Sequence, residues 1–355
     1  MKTIVVKTNT DNIDMNAINQ AGEIIRMGGL VAFPTETVYG LGADALNAEA
    51  SAKIYAAKGR PSDNPLIAHI ADIAMLEPLV AEIPPAAEKL MKEFWPGPMT
   101  LIFDKSDLVP KGTTGGLDTV AVRYPDHPIA QALISAAGVS IAAPSANLSG
   151  KPSPTLGEHV IDDMDGRIDM IIDGGMVGMG LESTIIDVTV TPPMILRPGF
   201  ITEEMIRKVV GEVTIDKAIF AKPEAGFKPK APGMKYRHYA PSADYKIYKG
   251  DAVKVADKII LLANEKADAG KNTGIITAEQ HMHLYEGRLN KKVTVVSLGD
   301  LDKPETIANH LFKVLRDFDK MNAEYIFGEA FSEDNVGQAI MNRLTKAAGY
   351  NIIDV

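Results

Sequence analysis

The sequence contains no cysteine. That one absence excludes disulfides, thiolate nucleophiles, zinc–cysteine sites and iron–sulfur clusters, and it fits a reducing compartment. No apolar run reaches the roughly 18 residues that a membrane span needs, and Lys2 is followed by no long apolar signal segment. The expected location is therefore cytoplasmic. A basic excess is also missing: 37 Lys and Arg stand against 46 Asp and Glu, a net charge of −9. Such a balance argues against an extended nucleic-acid footprint. The chain lacks the Gly-x-x-x-x-Gly-Lys-Ser/Thr phosphate loop, the His-Glu-x-x-His metal helix and the Gly-x-Ser-x-Gly nucleophile elbow. Any nucleotide must then be held by scattered cations, hydroxyls and backbone amides. The close pair His281 and His283 reads as a surface turn, and no residue is assigned to a metal. No repeat period is visible.

What is present is an ordinary globular composition, 46% hydrophobic and 23% charged, over 355 residues. That length exceeds what one core organises, so two domains are expected. Residues 1–210 alternate short β-branched runs with helical patterns, as α/β domains do. Met15, Ile18, Ala21 and Ile25 share a helical face, and residues 48–58 predict a second helix. Strands are predicted over 30–33, 64–70, 99–103, 119–124, 139–143, 170–172 and 184–190, and a helix over 201–210. From 211 to 241 periodicity fades while Pro223, Gly226, Pro229, Pro232 and Gly233 accumulate, which marks a linker. It is basic, with six Lys and Arg against three acids over 211–240. Residues 242–355 alternate strands (245–248, 274–276, 293–296, 325–327) with helices (253–262, 304–321, 336–348). That pattern predicts a smaller, parallel, doubly wound Rossmann-like α/β domain.

Four polar clusters in the first block stand out. Residues 34–42, Pro-Thr-Glu-Thr-Val-Tyr-Gly-Leu-Gly, directly follow a strand, where α/β folds place ligand loops, with a plain polar turn running into a glycine-rich loop as the alternative. Lys58 and Arg60 flank Gly59, a combination that suits a triphosphate, although helix capping by cations and a glycine explains it equally well. Arg123 closes an apolar strand, where a guanidinium needs a carboxylate that is either the protein's own or a ligand's. Residues 142–153 crowd hydroxyls and amides into a loop of small residues, which lets backbone N–H groups approach an anion. Turn chemistry alone also accounts for Ser-x-Asn. His69, inside an apolar strand, is by itself a core histidine.

Taken together, these segments carry a resemblance. Lys58-Gly-Arg-Pro with Asn64-Pro-Leu, the loop over 34–42, Trp95-Pro-Gly-Pro-Met-Thr100, Val122-Arg123, the run over 143–150, Glu182-Ser-Thr and Arg197-Pro-Gly occur in order. The chain resembles the YrdC-like domain of L-threonylcarbamoyladenylate synthases, and residues 231–241 look like the linker of the long, two-domain form. The resemblance implies a twisted mixed sheet with a concave site. It implies synthesis of L-threonylcarbamoyl-AMP from L-threonine, bicarbonate and ATP, with release of pyrophosphate, Mg²⁺ accompanying the ATP. Downstream tRNA threonylcarbamoyl transferase proteins would receive the product. It places Lys58, Arg60, Asn64, Thr119, Ser145, Asn147, Ser153 and Arg197 around ATP, with Lys58 and Arg60 carrying the catalysis. Thr35 or Thr37, His69, Arg123, Ala143 and Ser183 fall around threonine, the choice between the two threonines staying open. The linker is expected to act as a lid that meets the nucleotide through Tyr236.

That chemistry suits these residues on its own terms. Nucleotidyl transfer depends on positioning and charge neutralisation rather than on a protein nucleophile. Two other classes compete. Carbamoyl transfer in hydrogenase maturation would bring cysteine-rich zinc modules, which this chain lacks. A double-stranded RNA-binding role without adenylate synthesis runs against the acidic balance of residues 1–210.

Overall fold

Short apolar runs punctuated by proline and glycine build the first of two sheets. The computed structural model describes residues 2–219, 229–232 and 238–355. It forms two compact units, residues 1–149 with 153–236 and residues 150–152 with 237–355. In the first unit the strands begin with β1 (Ile4–Lys7), β2 (Val31–Phe33), β3 (Gly40–Asp44), β4 (Ile67–His69), β5 (Met99–Asp104) and β6 (Thr119–Arg123). They continue with β7 (Ile141–Ala142), β8 (Met170–Asp173), β9 (Thr184–Asp187), β10 (Met194–Arg197) and β11 (Thr214–Ile215). Their spatial order is β1-β8-β2-β3-β7-β4-β6-β5-β9-β10-β11, with parallel and antiparallel neighbours mixed.

The helices are closed by local chemistry. Asp14 caps the helix Met15–Arg26 by accepting from the backbone N–H groups of Asn16 and Ala17, which would otherwise lack partners. Asn47 caps Ala48–Lys58 in the same way, and Gly59 ends it in the left-handed region at φ 61°. An added side chain at Gly59 would meet nothing within 4 Å, so the glycine answers the backbone angle rather than a neighbour.

The glycine-rich segment departs from its expected form. Gly40, Leu41 and Gly42 lie in β3, which pairs antiparallel with β2. A Cβ on Gly42 would sit 2.6 Å from Ile141 Cγ2 and 2.8 Å from Phe33 Cε1, so close strand packing is what demands the glycine. Residues 34–39 are the connection of this hairpin. The expected linker also begins with regular structure: β11 pairs parallel with β10 at Ile195 and Ile215.

One face of the central strands packs Ala68, Leu101, Phe103, Val120, Val122 and Ile186 into the main core. The other face carries a small apolar group of Ile67, Ile102, Ala121, Ile185, Leu196 and Ala231. Ala231 belongs to the expected linker and is fully buried there, with Pro229 and Pro232 buried beside it and Lys230 exposed.

The second unit is a parallel sheet of β12 (Asp244–Lys249), β13 (Thr273–Thr277), β14 (Val293–Ser297), β15 (Tyr325–Glu329) and β16 (Ile352–Asp354). The order is β14-β13-β15-β12-β16. The helix Ala252–Asp268 covers one face through Val255, Ile259 and Ala263 against Tyr248, Ile275 and Phe327. Phe318, from the helix Pro304–Lys320, packs against Gly274 on the opposite face. Helices on both faces of a parallel sheet are the doubly wound, Rossmann-like layering that the alternation predicts. His281 and His283 lie in a 3₁₀ helix, Glu279–Leu284, that has no buried residue. His281 Nδ1 lies 2.7 Å from the buried carboxylate of Glu329, which also accepts from Thr277 and Tyr285.

Candidate active site

Sheet register assembles the site. His69 of β4 lies opposite Arg123 of β6, Arg123 opposite Thr100 of β5, Thr100 opposite Ile185 of β9, and Ile185 opposite Arg197 of β10. Directly paired residues point to the same side of a sheet, so these five side chains form one row across five strands. A β-bulge between Ile195 and Arg197 turns the last arginine into that row. The next row is apolar at Ile67, Ala121 and Ile102 and continues to the buried Asp187 of β9. Thr119 follows at the far end of β6, about 13 Å from Arg123 at the usual strand rise.

At the polar row the partner of Arg123 is settled. Its Nη2 lies 2.6 Å from Glu36 Oε1, and both side chains are largely buried. Nη1 donates to Thr37 Oγ1 at 2.9 Å. Thr35 instead donates its hydroxyl proton to the carbonyl of Val38 at 2.6 Å, closing the hairpin turn. Of the two threonines, then, Thr37 touches the guanidinium and Thr35 shapes the loop. Burial pushes the Glu36 carboxyl up, but the charge and contact of Arg123 outweigh it and hold the group below its ordinary value. The imidazole of His69 is pulled down to about 3, first by burial and then by the positive charge of Arg123. Its Nδ1 lies 3.0 Å from the carbonyl of Ile67, and a carbonyl only accepts, so the proton sits on Nδ1. Ser183 shares a 2.7 Å hydrogen bond with Thr100 and accepts from Arg197 Nη2 at 3.1 Å. Arg197 Nε donates to the carbonyl of the same serine. The arginine assigned to ATP and the serine assigned to threonine are therefore in direct contact.

A second group converges from the loops. Lys58 is 2% exposed, and its ammonium donates to the carbonyls of Ser145 and Asn147, each at 2.5 Å. Ser145 in turn donates to Asn147 Oδ1. The backbone stitches this loop to the hairpin: Leu41 N–H donates to Pro144, Ala146 N–H to Tyr39, and Tyr39 N–H to Pro154. Arg60 Nη2 donates to the carbonyls of Asn64 and Pro65. Asn64 is 1% exposed and its Oδ1 has no hydrogen-bond partner among the described residues, a buried acceptor that suits a ligand donor. Ser153 donates to the buried Glu182 at 2.6 Å. Ala143 is buried after β7, its N–H bound to the carbonyl of Ile67. Tyr236 lies outside the described residues.

Sequence reasoning missed Glu36, Thr100 and Glu182 as site residues. Each sits inside a quoted motif, and Arg123 at the end of an apolar strand was the signal that a carboxylate had to be near. Among the described residues no group of three His, Asp or Glu side chains could hold a metal ion. No described helix is long and apolar enough to cross a membrane.

Comparison with known proteins gives a consistent result. A family model described as Telomere recombination (Sua5, YciO, YrdC) matches residues 23–199. A second, described as Threonylcarbamoyl-AMP synthase, C-terminal domain, matches residues 201–349. The threonylcarbamoyl-AMP synthase of Pyrococcus abyssi is 50% identical over 353 residues, 99% of this chain and 100% of that one. The enzyme of that name from Bacillus subtilis is 49% identical over 347 residues, 97% of each chain. The crystal structure of P. abyssi Sua5 complexed with L-threonine superimposes with a TM-score of 0.91 at 50% identity, covering 100% of both chains.

Proposed function

Because the chain belongs to the threonylcarbamoyl-AMP synthase family, we propose that it makes L-threonylcarbamoyl-AMP from L-threonine, bicarbonate and ATP, for threonylcarbamoyladenosine in tRNA. The observation that carries this reading in the fold is the polar row of His69, Arg123, Thr100 and Arg197 beside an apolar row and the Lys58 loop. The amine of threonine and bicarbonate give an N-carboxylate with loss of water. An oxygen of that carboxylate attacks the α-phosphorus of ATP, and pyrophosphate leaves. Arg123 holds the threonine carboxylate through its planar fork, with Thr37 and Ser183 beside it. The neutral His69 lines the pocket without adding charge. Lys58, Arg60 and Arg197 neutralise the triphosphate, while Asn64, Thr119, Ser145, Asn147 and Ser153 orient the nucleotide. Mg²⁺ arrives as part of the ATP substrate, keeping several waters and needing few protein ligands. The product would pass to tRNA threonylcarbamoyl transferase proteins in the cytoplasm.

The test is pyrophosphate release by the full chain with ATP, Mg²⁺ and bicarbonate, with and without threonine. Threonine-dependent release is expected; release indifferent to threonine overturns the reading. The RNA-binding alternative is not favoured, since the similar proteins are synthases along their whole length. The buried Pro229, Ala231 and Pro232 support the linker as a lid over the filled site, shedding water before chemistry. Proteolysis after the exposed Lys230 should then slow when ATP and threonine are both present, and an unchanged rate would make the linker a tether.

A further inference from the structure

Glu36 is a buried carboxylate that the reaction scheme leaves without a task. Its contact with Arg123 at 2.6 Å is an ion pair, and the backbone N–H groups of Asp126 and of Glu36 itself also face the carboxylate. These neighbours all favour the charged form, which is the form that can receive an ammonium. Charge points the same way. Glu36 and Arg123 already neutralise one another, and Glu36 is the ion-pair partner of Arg123 among the described residues. A lone carboxylate arriving at Arg123 would create a buried triad with one negative charge in excess, which is costly. A zwitterion brings both signs and leaves the total at zero.

Covalent geometry narrows the placement. In an α-amino acid the amine nitrogen and the carboxylate carbon are separated by two bonds, hence by about 2.5 Å. If Arg123 takes the carboxylate, the group that takes the amine must lie within a few ångströms of the guanidinium. Glu36 lies there, held on the hairpin between Thr35 and Thr37, the second of which is itself bonded to Arg123. The other candidates for a proton acceptor are poorer. His69 faces Arg123 as a neutral ring with its Nδ1 proton committed to Ile67. His127 is likewise biased towards the neutral form, by burial above all.

We propose that Glu36 receives the α-amine of L-threonine while Arg123 receives its carboxylate, so that the pair recognises the zwitterion. The inference rests on the proposed function, since it assumes that threonine occupies this row. Glu36 then fixes where the amine nitrogen stands when it meets bicarbonate, and it continues to accept N–H bonds once that nitrogen is neutral.

Titration calorimetry on the full chain with L-threonine and with 3-hydroxybutyrate, which is threonine without its amine, tests this. The wild type should bind threonine at least about tenfold more tightly, the scale of one hydrogen bond to a charged group. Glu36→Gln should weaken threonine by about tenfold or more and change 3-hydroxybutyrate less than about threefold, so that the preference collapses. Glu36→Asp, which keeps the charge at shorter reach, should restore part of it. Equal losses for both ligands would make Glu36 a mere support for Arg123 and overturn the proposal. Tighter threonine binding by Glu36→Gln would make it a competitor for Arg123 and overturn it too. Should Glu36→Gln fail to fold, equal affinity of the wild type for the two ligands would refute the proposal without it. Failure of the wild type to bind threonine at all would overturn the functional reading itself, an outcome distinct from these.

Discussion

Replacing Lys58 by methionine is the sharpest test of the loop architecture. The side chain is 2% exposed and its ammonium donates to the carbonyls of Ser145 and Asn147. Methionine preserves length and apolar stem but withdraws the donor from both carbonyls. Each loss costs about 1–3 kcal/mol, and relief from burying a charge offsets part of it. A net loss of about 2 kcal/mol follows, or a fall of roughly 4–8 °C in the melting of a unit this size. Because the chain has two units, the shift belongs to the transition that contains the first one. Turnover should fall at least about tenfold, since the same substitution removes the cation proposed to meet the phosphates and loosens the backbone of residues 145–147. Differential scanning calorimetry, with pyrophosphate release on the same samples, measures both. Unchanged melting with normal turnover would refute the reasoning. Unchanged melting with lost turnover would show that the lysine serves ATP alone and that its loop contacts are energetically idle.

Arg123→Lys keeps charge but loses the fork shared between Glu36 and Thr37; the threonine KM should rise about tenfold or more with the ATP KM little changed, and an equal loss for both substrates would move Arg123 to the nucleotide. The His69 imidazole titrates at about 3 in the folded chain against an ordinary 6.5. The unfolded chain therefore binds more protons between those values, and stability present above pH 6.5 is lost as pH falls towards 3, in total on the order of 5 kcal/mol. Urea midpoints at pH 7 and pH 4.5 should show the decline, and His69→Asn should flatten it; an identical slope in that variant would exclude His69 as the cause. Gly42→Ala should cost about 1–3 kcal/mol because its methyl meets Ile141 and Phe33, whereas Gly59→Ala should cost about 1 kcal/mol from backbone angle alone. Equal penalties in chemical denaturation would contradict that distinction.

Local signals were legible and long-range ones were not. The helix over 48–58 and the strands over 99–103 and 119–124 match the observed elements to within a residue, because caps, prolines and β-branched runs act within a few positions. Gly40 to Gly42 reads as a loop because glycine has one appearance in sequence and several uses in space; the approach of Ile141 and Phe33 is invisible locally. The edge strand β1 escapes notice because it is short and half exposed, with Ile4 at 40% and Val5 at 42%. The need of Arg123 for a carboxylate was readable from one strand, but its supply by Glu36 depends on a hairpin far earlier in the chain. Lys58 reads as a phosphate ligand or a capping cation, and its service to the Ser145–Asn147 loop exists only once that loop has folded back.

The row from His69 to Arg197 has a further consequence. Four strand spacings of about 4.8 Å make it roughly 19 Å long, comparable to an amino acid laid end to end with part of a nucleotide. Its spacing is set by the backbone ladder, not by the side chains. A slip of a single residue in β4, β5, β6 or β10 would send its polar group into the apolar core and raise an aliphatic one in its place. Catalytic competence thus doubles as a gauge of strand alignment, and a refolded or circularly permuted chain can be sorted by activity alone into those in which five separate strands have met in phase and those in which one has not.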